Sequence, residues 1–291
     1  MAKAASKTEM ESREFRMRDS DFRTIADAIY THAGIVIGDH KRELVYSRMA
    51  RRLRQLGLAN FETYLGRFDG PHGAEERDHL INALTTNHTH FFRESHHFEH
   101  VRDIAVKHWQ ARAAKTGDRR IRIWSAGCSS GEEPYSLAAT LAEALGQGGG
   151  WDWRILATDI DTNVLAHAKR GEYPVGAVRD VPKTLQRNHF QPSARDGAMV
   201  RASAAIRSRI TFNRLNLHGD WPMKGQFDLI FCRNVTIYFD GPTKNRLVKR
   251  FTESLKPDGW LYLGHSESVL GGTAGLHPVG RTIYSFKGEA R

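Results

Sequence analysis

The chain has 291 residues, of which 40% are hydrophobic, and this proportion supports a sizeable core. Its formal net charge of +10 favours an acidic partner: nucleic acid, an anionic membrane or an acidic protein surface. No run of about 18 apolar residues occurs and the charged first residues do not resemble a signal peptide, so we predict neither membrane insertion nor secretion.

The first part of the chain reads as a flexible segment followed by helices. Residues 1–18 are polar and mixed in charge, and we predict a flexible N-terminus there. From Asp19 onwards, apolar residues recur at spacings of three and four, as in Phe22, Ile25 and Ile29. Gly57 and the Asp69–Gly73 segment are plausible breaks. The pattern predicts a small all-helical domain over residues 19–86.

From about residue 120, strand and helix patterns alternate, which is typical of a mostly parallel sheet covered by helices. The predicted strands are Ile121–Ser125, Trp153–Thr158, Phe227–Cys232 and Trp260–Gly264. The predicted helices are Glu132–Leu145, Asn163–Arg170 and Pro242–Leu255. Strands near Ile210–Phe212 and Thr282–Phe286 would extend the sheet. The alternation fails between residues 173 and 213, where short strand patterns predict a small antiparallel excursion.

The turn after the first predicted strand is the most informative segment. Gly127 and Gly131 frame it, and Glu132 and Glu133 open the helix that follows. A helix N-terminus usually attracts an anion, but two carboxylates there disfavour a diphosphate. A cationic, phosphate-free nucleoside such as S-adenosylmethionine is compatible, and the glycines would leave space for its amino-acid end. An ordinary strand–helix connection remains the alternative.

Polar residues follow two other predicted strands. Asp159 ends the second strand, where folds of this type place an acidic residue that holds the ribose hydroxyls of an adenosine. It could instead cap the next helix, a role that Asp161 could also fill. Arg233, Asn234 and Tyr238 follow a later strand and should lie at the same edge of the sheet. For Tyr238, simple packing is an equal alternative.

The segment Thr85–Glu94 is polar and contains two phenylalanines. This composition suits a pocket wall in which aromatic rings line the pocket and polar side chains contact the ligand. Its histidines and those just beyond raise the alternative of a metal site: His88, His90, His96, His97 and His100. Their spacing matches no familiar zinc pattern, so we predict no metal. The two cysteines, Cys128 and Cys232, are far apart; we expect them to pack beside strand ends in a reducing cytoplasm.

A basic helix is predicted over Lys41–Leu56. At 100° per residue, four cations share one face: Lys41, Arg48, Arg51 and Arg52. A face with almost no carboxylates predicts docking onto an acidic partner, although the solvated face of a helical bundle is the alternative.

Together these segments resemble the chemotaxis receptor methyltransferases, the CheR family, from about residue 20 to the C-terminus. Several specific motifs occur in the same order: Gly38–Arg42, Ala83–Asn87, Phe91–Glu94, Trp124–Gly127, Gly131–Ser136, Thr158–Asp161, Phe231–Val235, Ile237–Asp240 and Gly264–Glu267. Such a series is more specific than a glycine motif alone.

The resemblance implies a Rossmann-like α/β domain of the class I S-adenosylmethionine-dependent methyltransferases over residues 87–291, with an antiparallel β-subdomain inserted at about 174–212. It implies methyl transfer to glutamate side chains on the cytoplasmic methylation helices of chemoreceptors, by an enzyme that we expect to be a monomer. By motif position, the cofactor contacts would be Asn87, Thr89, Arg93, Glu133, Asp159, Asn216, Leu217, Arg233 and Asn234. Arg93 and Tyr238 match residues proposed to act next to the methyl group.

Two other functions are alternatives to this one. A nucleic-acid methyltransferase would suit the basic charge, but amino-methylating members usually carry an Asn/Asp-Pro-Pro-Tyr/Phe motif for a flipped base. Here the corresponding segment, residues 234–238, reads Asn-Val-Thr-Ile-Tyr and has no proline pair. We therefore expect no nucleic-acid partner. The second alternative is a binding module that senses S-adenosylmethionine without catalysis.

Overall fold

A computed structural model describes residues 14–146, 149–194, 196–269 and 275–286. The chain forms two compact units. The first runs to Thr86 and also includes Tyr238–Thr243, and the second comprises Asn87–Ile237 and the chain from Lys244 onwards. Most of the predicted flexible N-terminus lies outside the described residues. A search of those residues finds no helix with the length and apolarity needed to span a bilayer.

The first unit is helical. In the described residues its α-helices are α1 (Asp19–Ala33), α2 (Arg42–Leu56), α3 (Phe61–Leu65) and α4 (Gly73–Leu84). Short 3-10 turns cover Asp39–Lys41 and Gly66–Asp69. Helices α1 and α2 each end at a left-handed glycine, Gly34 with φ 70° and Gly57 with φ 64°, a conformation that glycine adopts without steric cost.

The apolar spacing that predicted these helices also forms the core of the first unit. Ile25 and Ile29 of α1 and Val45, Met49 and Leu53 of α2 have no exposed surface. They recur every four residues, so each helix turns one apolar face inward and leaves most of its charged residues outside; Asp21 of α1 is buried.

The second unit is an α/β domain. Its described strands are β1 (Arg120–Ala126), β2 (Asp152–Asp159), β3 (Glu172–Pro174), β4 (Phe190–Pro192), β5 (Met199–Ala202), β6 (Ile210–Arg214), β7 (Phe227–Cys232), β8 (Leu255–Leu263), β9 (Leu276–Gly280) and β10 (Ile283–Phe286). Within the described ranges, seven of them form one sheet in the order β6-β2-β1-β7-β8-β10-β9. The strands from β6 to β8 pair in parallel, and β10 pairs antiparallel with both neighbours.

Helices accompany this sheet in the second unit. They are α5 (His96–His100), α6 (Val106–Thr116), α7 (Glu132–Leu145), α8 (Thr162–Arg170), α9 (Lys183–His189) and α10 (Ala204–Arg207). A one-turn π-helix, Val101–Ala105, joins α5 to α6. Helix α11 (Gly241–Ser254) begins in the segment assigned to the first unit. The central strands carry near-continuous apolar runs, and β7 is buried along its whole length. Both faces of the sheet are therefore covered, as expected of parallel strands.

The inserted antiparallel sheet is shorter than predicted. It consists of β3, β5 and β4 in that order and ends at Ala202. The segment that was placed at the end of the insert, Ile210–Phe212, belongs to β6 and pairs in parallel with β2. Ile210 and Phe212 are buried there, so their alternating side chains serve the main sheet. The expectation that this segment extends the main sheet is confirmed; its assignment to the insert was wrong.

Candidate active site

The glycine turn connects β1 to α7 and packs tightly against the protein itself. Gly127 has φ 80° and Gly131 has φ 99°. A Cβ on Gly127 would lie 2.4 Å from Cγ2 of Val235, and one on Gly131 would lie 2.9 Å from Cβ of Ala168. Both glycines are therefore needed for close packing. The space that we expected them to leave for the cofactor is occupied at these two points by protein side chains.

Asp159 lies at the carboxyl end of β2 with 8% of its surface exposed. Its Oδ2 accepts a hydrogen bond from the Ser129 amide at 2.8 Å, and its Oδ1 accepts one from the Asp161 amide at 3.0 Å. Burial raises the pKa of Asp159 to about 6. Asp161, not Asp159, caps α8 through the amides of residues 163 and 164. The alternative of a helix cap is therefore excluded for Asp159.

Asn87 lies beside the end of β2 and the turn after β1, where it contacts Asp161 and Ser129. Its Nδ2 donates to Oδ2 of Asp161 at 2.6 Å, and its carbonyl accepts from Oγ of Ser129 at 2.9 Å. The first residues of the second unit are thus tied to the turn after β1 and to the end of β2. This brings a residue distant in sequence to the carboxyl edge of the sheet.

Arg233 lies between two carboxylates. Its Nη1 is 3.2 Å from Oε2 of Glu133 and its Nη2 is 3.5 Å from Oε2 of Glu94, while Nη2 also donates to the carbonyl of Arg93. Burial raises the pKa of Glu133, opposed by Arg233 and by the hydroxyl of Ser125. Burial acts in the same direction on Glu94, but Arg233 and His265 hold the pKa of Glu94 below its usual value.

Four neighbouring parallel strands, β6, β2, β1 and β7, end at this edge. The residues that follow them are Asn216 and Leu217 after β6, Asp159 at the end of β2, the glycine turn after β1, and Arg233 and Asn234 after β7. Ligands of open parallel sheets bind outside the carboxyl ends of the strands. The sequence-predicted residues of the second unit therefore converge on one candidate site.

The charge of this site fits a cationic nucleoside better than a diphosphate. Two carboxylates and one guanidinium leave an excess of negative charge at Glu94, Arg233 and Glu133. Glu132, which receives a hydrogen bond from Ser130 Oγ at 2.7 Å, adds another carboxylate at the N-terminus of α7. The buried carboxylate of Asp159 suits ribose hydroxyls as donors. These residues fit S-adenosylmethionine.

Comparison with known families decides the assignment. The family model "CheR methyltransferase, SAM binding domain" matches residues 87–284, and "CheR methyltransferase, all-alpha domain" matches residues 20–85. The chain belongs to the CheR family. Its cofactor is S-adenosylmethionine, and its second unit is the cofactor-binding domain of a methyltransferase.

Curated relatives agree over most of their length. The chemotaxis protein methyltransferase of Salmonella typhimurium is 42% identical over 272 residues, which cover 93% of this chain and 91% of that protein. The protein of the same description from Escherichia coli is also 42% identical, covering 93% and 92%. A probable chemotaxis protein methyltransferase of Rhizobium etli is 42% identical over 260 residues, covering 89% and 96%.

The other predicted cofactor contacts of this CheR protein lie in loops at the same edge. Arg93 is half-buried, and its Nη1 donates to the carbonyl of His88 at 3.0 Å, so the side chain is held by its own loop. Thr89 is half-buried in that loop. Asn216 turns its Oδ1 to the amide of His218 at 3.0 Å. These residues remain predicted contacts.

Sequence reasoning missed Glu267 as a site residue. Its carboxylate, 5% exposed, accepts hydrogen bonds from the amides of Asn234, Thr236, Ile237 and Gly264 and from the hydroxyl of Thr236. The distances run from 2.6 to 3.3 Å. Glu267 therefore fixes the turn that presents Asn234. The signal in the sequence was its place in the Gly264–Glu267 motif, four residues that come directly after a strand.

Left-handed backbone in residues other than glycine is concentrated around the site. Phe92, Glu94, Ser129 and Asn234 have φ between 50° and 58°. Each such conformation costs about 1 kcal/mol or more and persists only where its surroundings enforce it. Strain of this kind is typical of sites that hold a ligand in one orientation.

The predicted aromatic pocket wall is wrong for Phe91. Its side chain is 2% exposed and packs edge-on against Tyr173 at 4.9 Å and Phe190 at 5.1 Å between ring centroids. Phe91 thus joins the main domain to the insert as a core residue. Phe92 is half-buried against Phe98. Cys128 and Cys232 are buried free thiols beside strand ends, as expected.

The histidines differ in burial: His97 is a core residue, His96 and His100 are half-buried and hydrogen-bonded, and His88 and His90 are exposed. Donor atoms of Glu94, His96 and His97 lie within 4.8 Å of one another, a grouping that could hold a metal ion. However, Nη2 of Arg233 lies 3.5 Å from Oε2 of Glu94 and brings positive charge to the same point. His97 is fully buried and its Nε2 bonds Oγ1 of Thr282 at 3.0 Å; burial lowers its pKa to about 2, so the ring is neutral.

The predicted docking face of the first unit is only partly free. Arg48 donates to the carbonyls of Ala83 and Thr85, both at 2.8 Å. Arg52 forms a two-point ion pair with Glu76, whose side chain is 2% exposed. These two arginines hold α4 against α2, and their role in docking stays a prediction. Lys41 and Arg51 form no ion pair within the described residues.

Tyr238 belongs to the first unit. Its carbonyl accepts from the Val36 amide at 2.9 Å, and its Oη donates to the Thr86 carbonyl at 3.4 Å. The next residue, Phe239, forms an antiparallel bridge with Ile35. The segment after the 3-10 turn Thr236–Tyr238 is therefore fastened to the helical unit by backbone contacts. The role of Tyr238 in catalysis stays a prediction.

Proposed function

We propose that this protein transfers methyl groups from S-adenosylmethionine to glutamate side chains on the methylation helices of chemoreceptors, giving glutamate methyl esters. The observation that supports this most directly is the convergence of Asp159 and the Glu94–Arg233–Glu133 group at the carboxyl edge of a CheR-family sheet. Relatives that match nearly the whole chain are described as chemotaxis protein methyltransferases.

The chemistry requires no general base. A free glutamate has a pKa of about 4.3, so the substrate is already a carboxylate at neutral pH. Bound S-adenosylmethionine supplies an electrophilic methyl group on a sulfonium. Transfer to a carboxylate oxygen would form the oxygen–carbon bond while the carbon–sulfur bond breaks, and the electron pair of that bond would stay on sulfur. Both reactant charges disappear, so exclusion of water and alignment of the reacting atoms are the useful contributions of the protein.

The proposed roles of Arg93 and Tyr238 follow from this charge change. A cation paired tightly with the attacking oxygen would stabilise the reactants more than the transition state. We therefore assign Arg93 to hold the cofactor or the non-attacking oxygen of the substrate. The hydroxyl of Tyr238 positions the carboxylate. Neither residue transfers a proton.

The cofactor contacts are assigned to nine residues at the carboxyl edge and in the loop that precedes it: Asn87, Thr89, Arg93, Glu133, Asp159, Asn216, Leu217, Arg233 and Asn234. In this assignment Asp159 receives the ribose hydroxyls. The negative charge around Arg233 and Glu133 favours the cationic methionine end. Asn216 and Leu217, after β6, contact the nucleoside end.

Receptor docking is assigned to the basic face of the helical unit: the exposed Arg51, the half-buried Lys41, and Arg48 and Arg52, which also hold α4 against α2. Methylation regions are rich in glutamate, so exposed cations attract them over distances of about 8 Å at physiological salt. We expect Arg51→Met to weaken receptor binding at low salt. Arg52→Met should instead destabilise the fold by about 1–3 kcal/mol, because the buried Glu76 loses its two-point ion pair with Arg52 and keeps Arg67 at 3.7 Å. The proposal includes a monomeric, cytoplasmic enzyme.

Labelled cofactor tests the proposed function. The protein is incubated with methyl-labelled S-adenosylmethionine and receptor-containing membranes from the same organism. Base-labile label on receptor protein supports a glutamate methyl ester. Label on RNA would instead support a nucleic-acid methyltransferase, and cofactor binding without any transfer would support a sensing module.

A further inference from the structure

We propose that Arg250 is a positioning residue for the nucleoside end of S-adenosylmethionine. It holds the loop of residues 216–221, which follows β6, in the conformation that receives the adenosine. The inference rests on the assignment of Asn216 and Leu217 as cofactor contacts in the proposed function, and it names the residue that shapes the loop carrying them. All the residues involved lie in the second unit.

The 216–221 loop begins beside Asp159. The Leu215 amide donates to the Asp159 carbonyl at 3.0 Å, so the residue before the loop is tied to the end of β2. Within the loop, Oδ1 of Asn216 accepts from the His218 amide at 3.0 Å, and the Asn216 carbonyl accepts from the Gly219 amide at 3.2 Å. These bonds shape a tight turn next to the carboxyl that is assigned to the ribose.

Two arginines one turn apart on α11 hold this loop. Nη1 of Arg250 donates to the Leu217 carbonyl at 3.0 Å, and Nη2 of Arg246 lies 3.0 Å from Nδ1 of His218. Residues four apart lie on the same face of a helix, so the two guanidinium groups contact consecutive residues of the loop. Arg250 is half-buried and Arg246 is exposed. The bond from Arg250 is therefore better shielded from water and is the stronger of the two.

The guanidinium of Arg250 also lies over an aromatic ring at the end of the loop. Its Cζ is 3.8 Å from the centroid of the Trp221 ring, within the range of a cation–π contact. Trp221 packs edge-on against Trp124 of β1 at 4.7 Å and against Phe251 at 5.3 Å between ring centroids. Trp124 is fully buried. Arg250 therefore ties the loop to α11 and, through Trp221, to the central sheet.

This arrangement gives Arg250 a defined part in cofactor binding. A loop that is already in its binding conformation spares the cost of ordering it when the ligand arrives. Loss of the Arg250 side chain removes the partner of the Leu217 carbonyl and the cation over Trp221, so that ordering cost returns at each binding event. Because the loop is assigned to the nucleoside end alone, the methyl-transfer step should change little.

Calorimetric titration of Arg250→Met tests the inference. We expect the Kd for S-adenosylmethionine to rise about tenfold, because a hydrogen bond from a charged donor is lost, while kcat at saturating cofactor changes less than about twofold. Arg250→Lys keeps the charge but not the planar fork and should recover part of the affinity. Lys249→Met, at the adjacent exposed position of α11, is the matched control. A fall in kcat with cofactor affinity unchanged would overturn the inference.

A nucleoside probe separates positioning from a general loss of stability. The probe, 5′-methylthioadenosine, has the nucleoside end of the cofactor without its amino-acid end. Arg250→Met should weaken binding of this probe and of S-adenosylhomocysteine by the same factor. A variant that bound the probe as tightly as the wild type, but S-adenosylhomocysteine weakly, would contradict the assignment to the nucleoside end.

Variants of Trp221 give a second result that leaves Arg250 in place. Trp221→Phe keeps an aromatic face under the guanidinium and should retain more affinity for S-adenosylhomocysteine than Trp221→Ala. Equal affinities of these two variants would show that the aromatic contact does not help to position the loop. If the wild type binds S-adenosylhomocysteine but methylates no receptor, the proposed function fails, whereas the role of Arg250 is still decided by these affinities.

Discussion

The hydroxyl of Tyr30 donates to Oδ2 of Asp240 at 2.7 Å, a contact between residues 210 positions apart in the chain. Together with the Val36–Tyr238 hydrogen bond and the Ile35–Phe239 bridge, it fastens the segment 238–240 to the helical unit. A segment that follows β7 of the methyltransferase domain is thus shaped by residues of α1 and the loop after it. The position of Tyr238 therefore depends on the helical unit.

Tyr30→Phe tests this dependence. Removal of one hydrogen bond to a carboxylate at an exposed position should cost about 1 kcal/mol and loosen the Tyr238 segment. We expect kcat for receptor methylation to fall about two- to fivefold with cofactor affinity unchanged. Steady-state kinetics and calorimetric titration with S-adenosylmethionine measure the two quantities. A loss of cofactor affinity instead of kcat would contradict the assigned role.

Cofactor affinity should depend on the ionisation of Asp159. Burial raises the pKa of this carboxyl to about 6, and ribose hydroxyls donate to the ionised form. As the pH falls through 6, a growing fraction is protonated, so affinity for S-adenosylmethionine should fall about tenfold per unit below that point. Titration between pH 5 and 8 measures it. Asp159→Asn should bind S-adenosylmethionine weakly at every pH. If this variant kept the pH dependence of the wild type, the ionisation of Asp159 would not be the cause of that dependence.

The packing of Gly127 against Val235 predicts a compensating pair. Gly127→Ala places a Cβ 2.4 Å from Cγ2 of Val235 at a φ of 80°, and should destabilise the protein by about 2 kcal/mol or more. Val235→Ala removes the clashing methyl groups. The double variant should therefore be more stable than Gly127→Ala alone, measured by denaturant unfolding. Strictly additive losses would show that backbone strain, not the clash, sets the cost.

Glu267→Gln should weaken both stability and cofactor affinity. The carboxylate accepts four amides and a hydroxyl, whereas an amide side chain offers one acceptor oxygen and turns its NH2 towards the remaining donors. We expect a loss of about 2–4 kcal/mol in unfolding free energy. Glu253→Gln, at an exposed position of α11, is the matched control. Equal unfolding free energies for the two variants would show that the Glu267 carboxylate does not stabilise the turn that presents Asn234.

Regular elements with strong local patterns were predictable from the sequence. Helix α7 has the predicted bounds, Glu132–Leu145, because a glycine precedes its first residue and another follows its last. Strand β7 likewise has its predicted bounds, Phe227–Cys232, as a short apolar run. Asp159 was found because the end of a parallel strand fixes where its side chain lies.

Features that depend on distant partners were not predictable. The basic face of α2 looked unpaired because Glu76, which neutralises Arg52, lies on another helix. Ile210–Arg214 has the pattern of a short strand, and only its pairing with β2 decides which sheet it joins. Three of the four amides that bond Glu267 are 30 to 33 residues away. Side-chain pairing across the fold has no local signal in a single sequence.

We assign methyl transfer to receptor glutamates to a site that includes Asp159 and the Glu94–Arg233–Glu133 group. The most direct measurement is mass spectrometry of a receptor fragment after incubation with the protein and S-adenosylmethionine. We expect a gain of one methyl group on specific glutamate residues, which mild base removes, and no gain when those residues are glutamine. A methyl group found on lysine or arginine, or none with a receptor from the same organism, would contradict it.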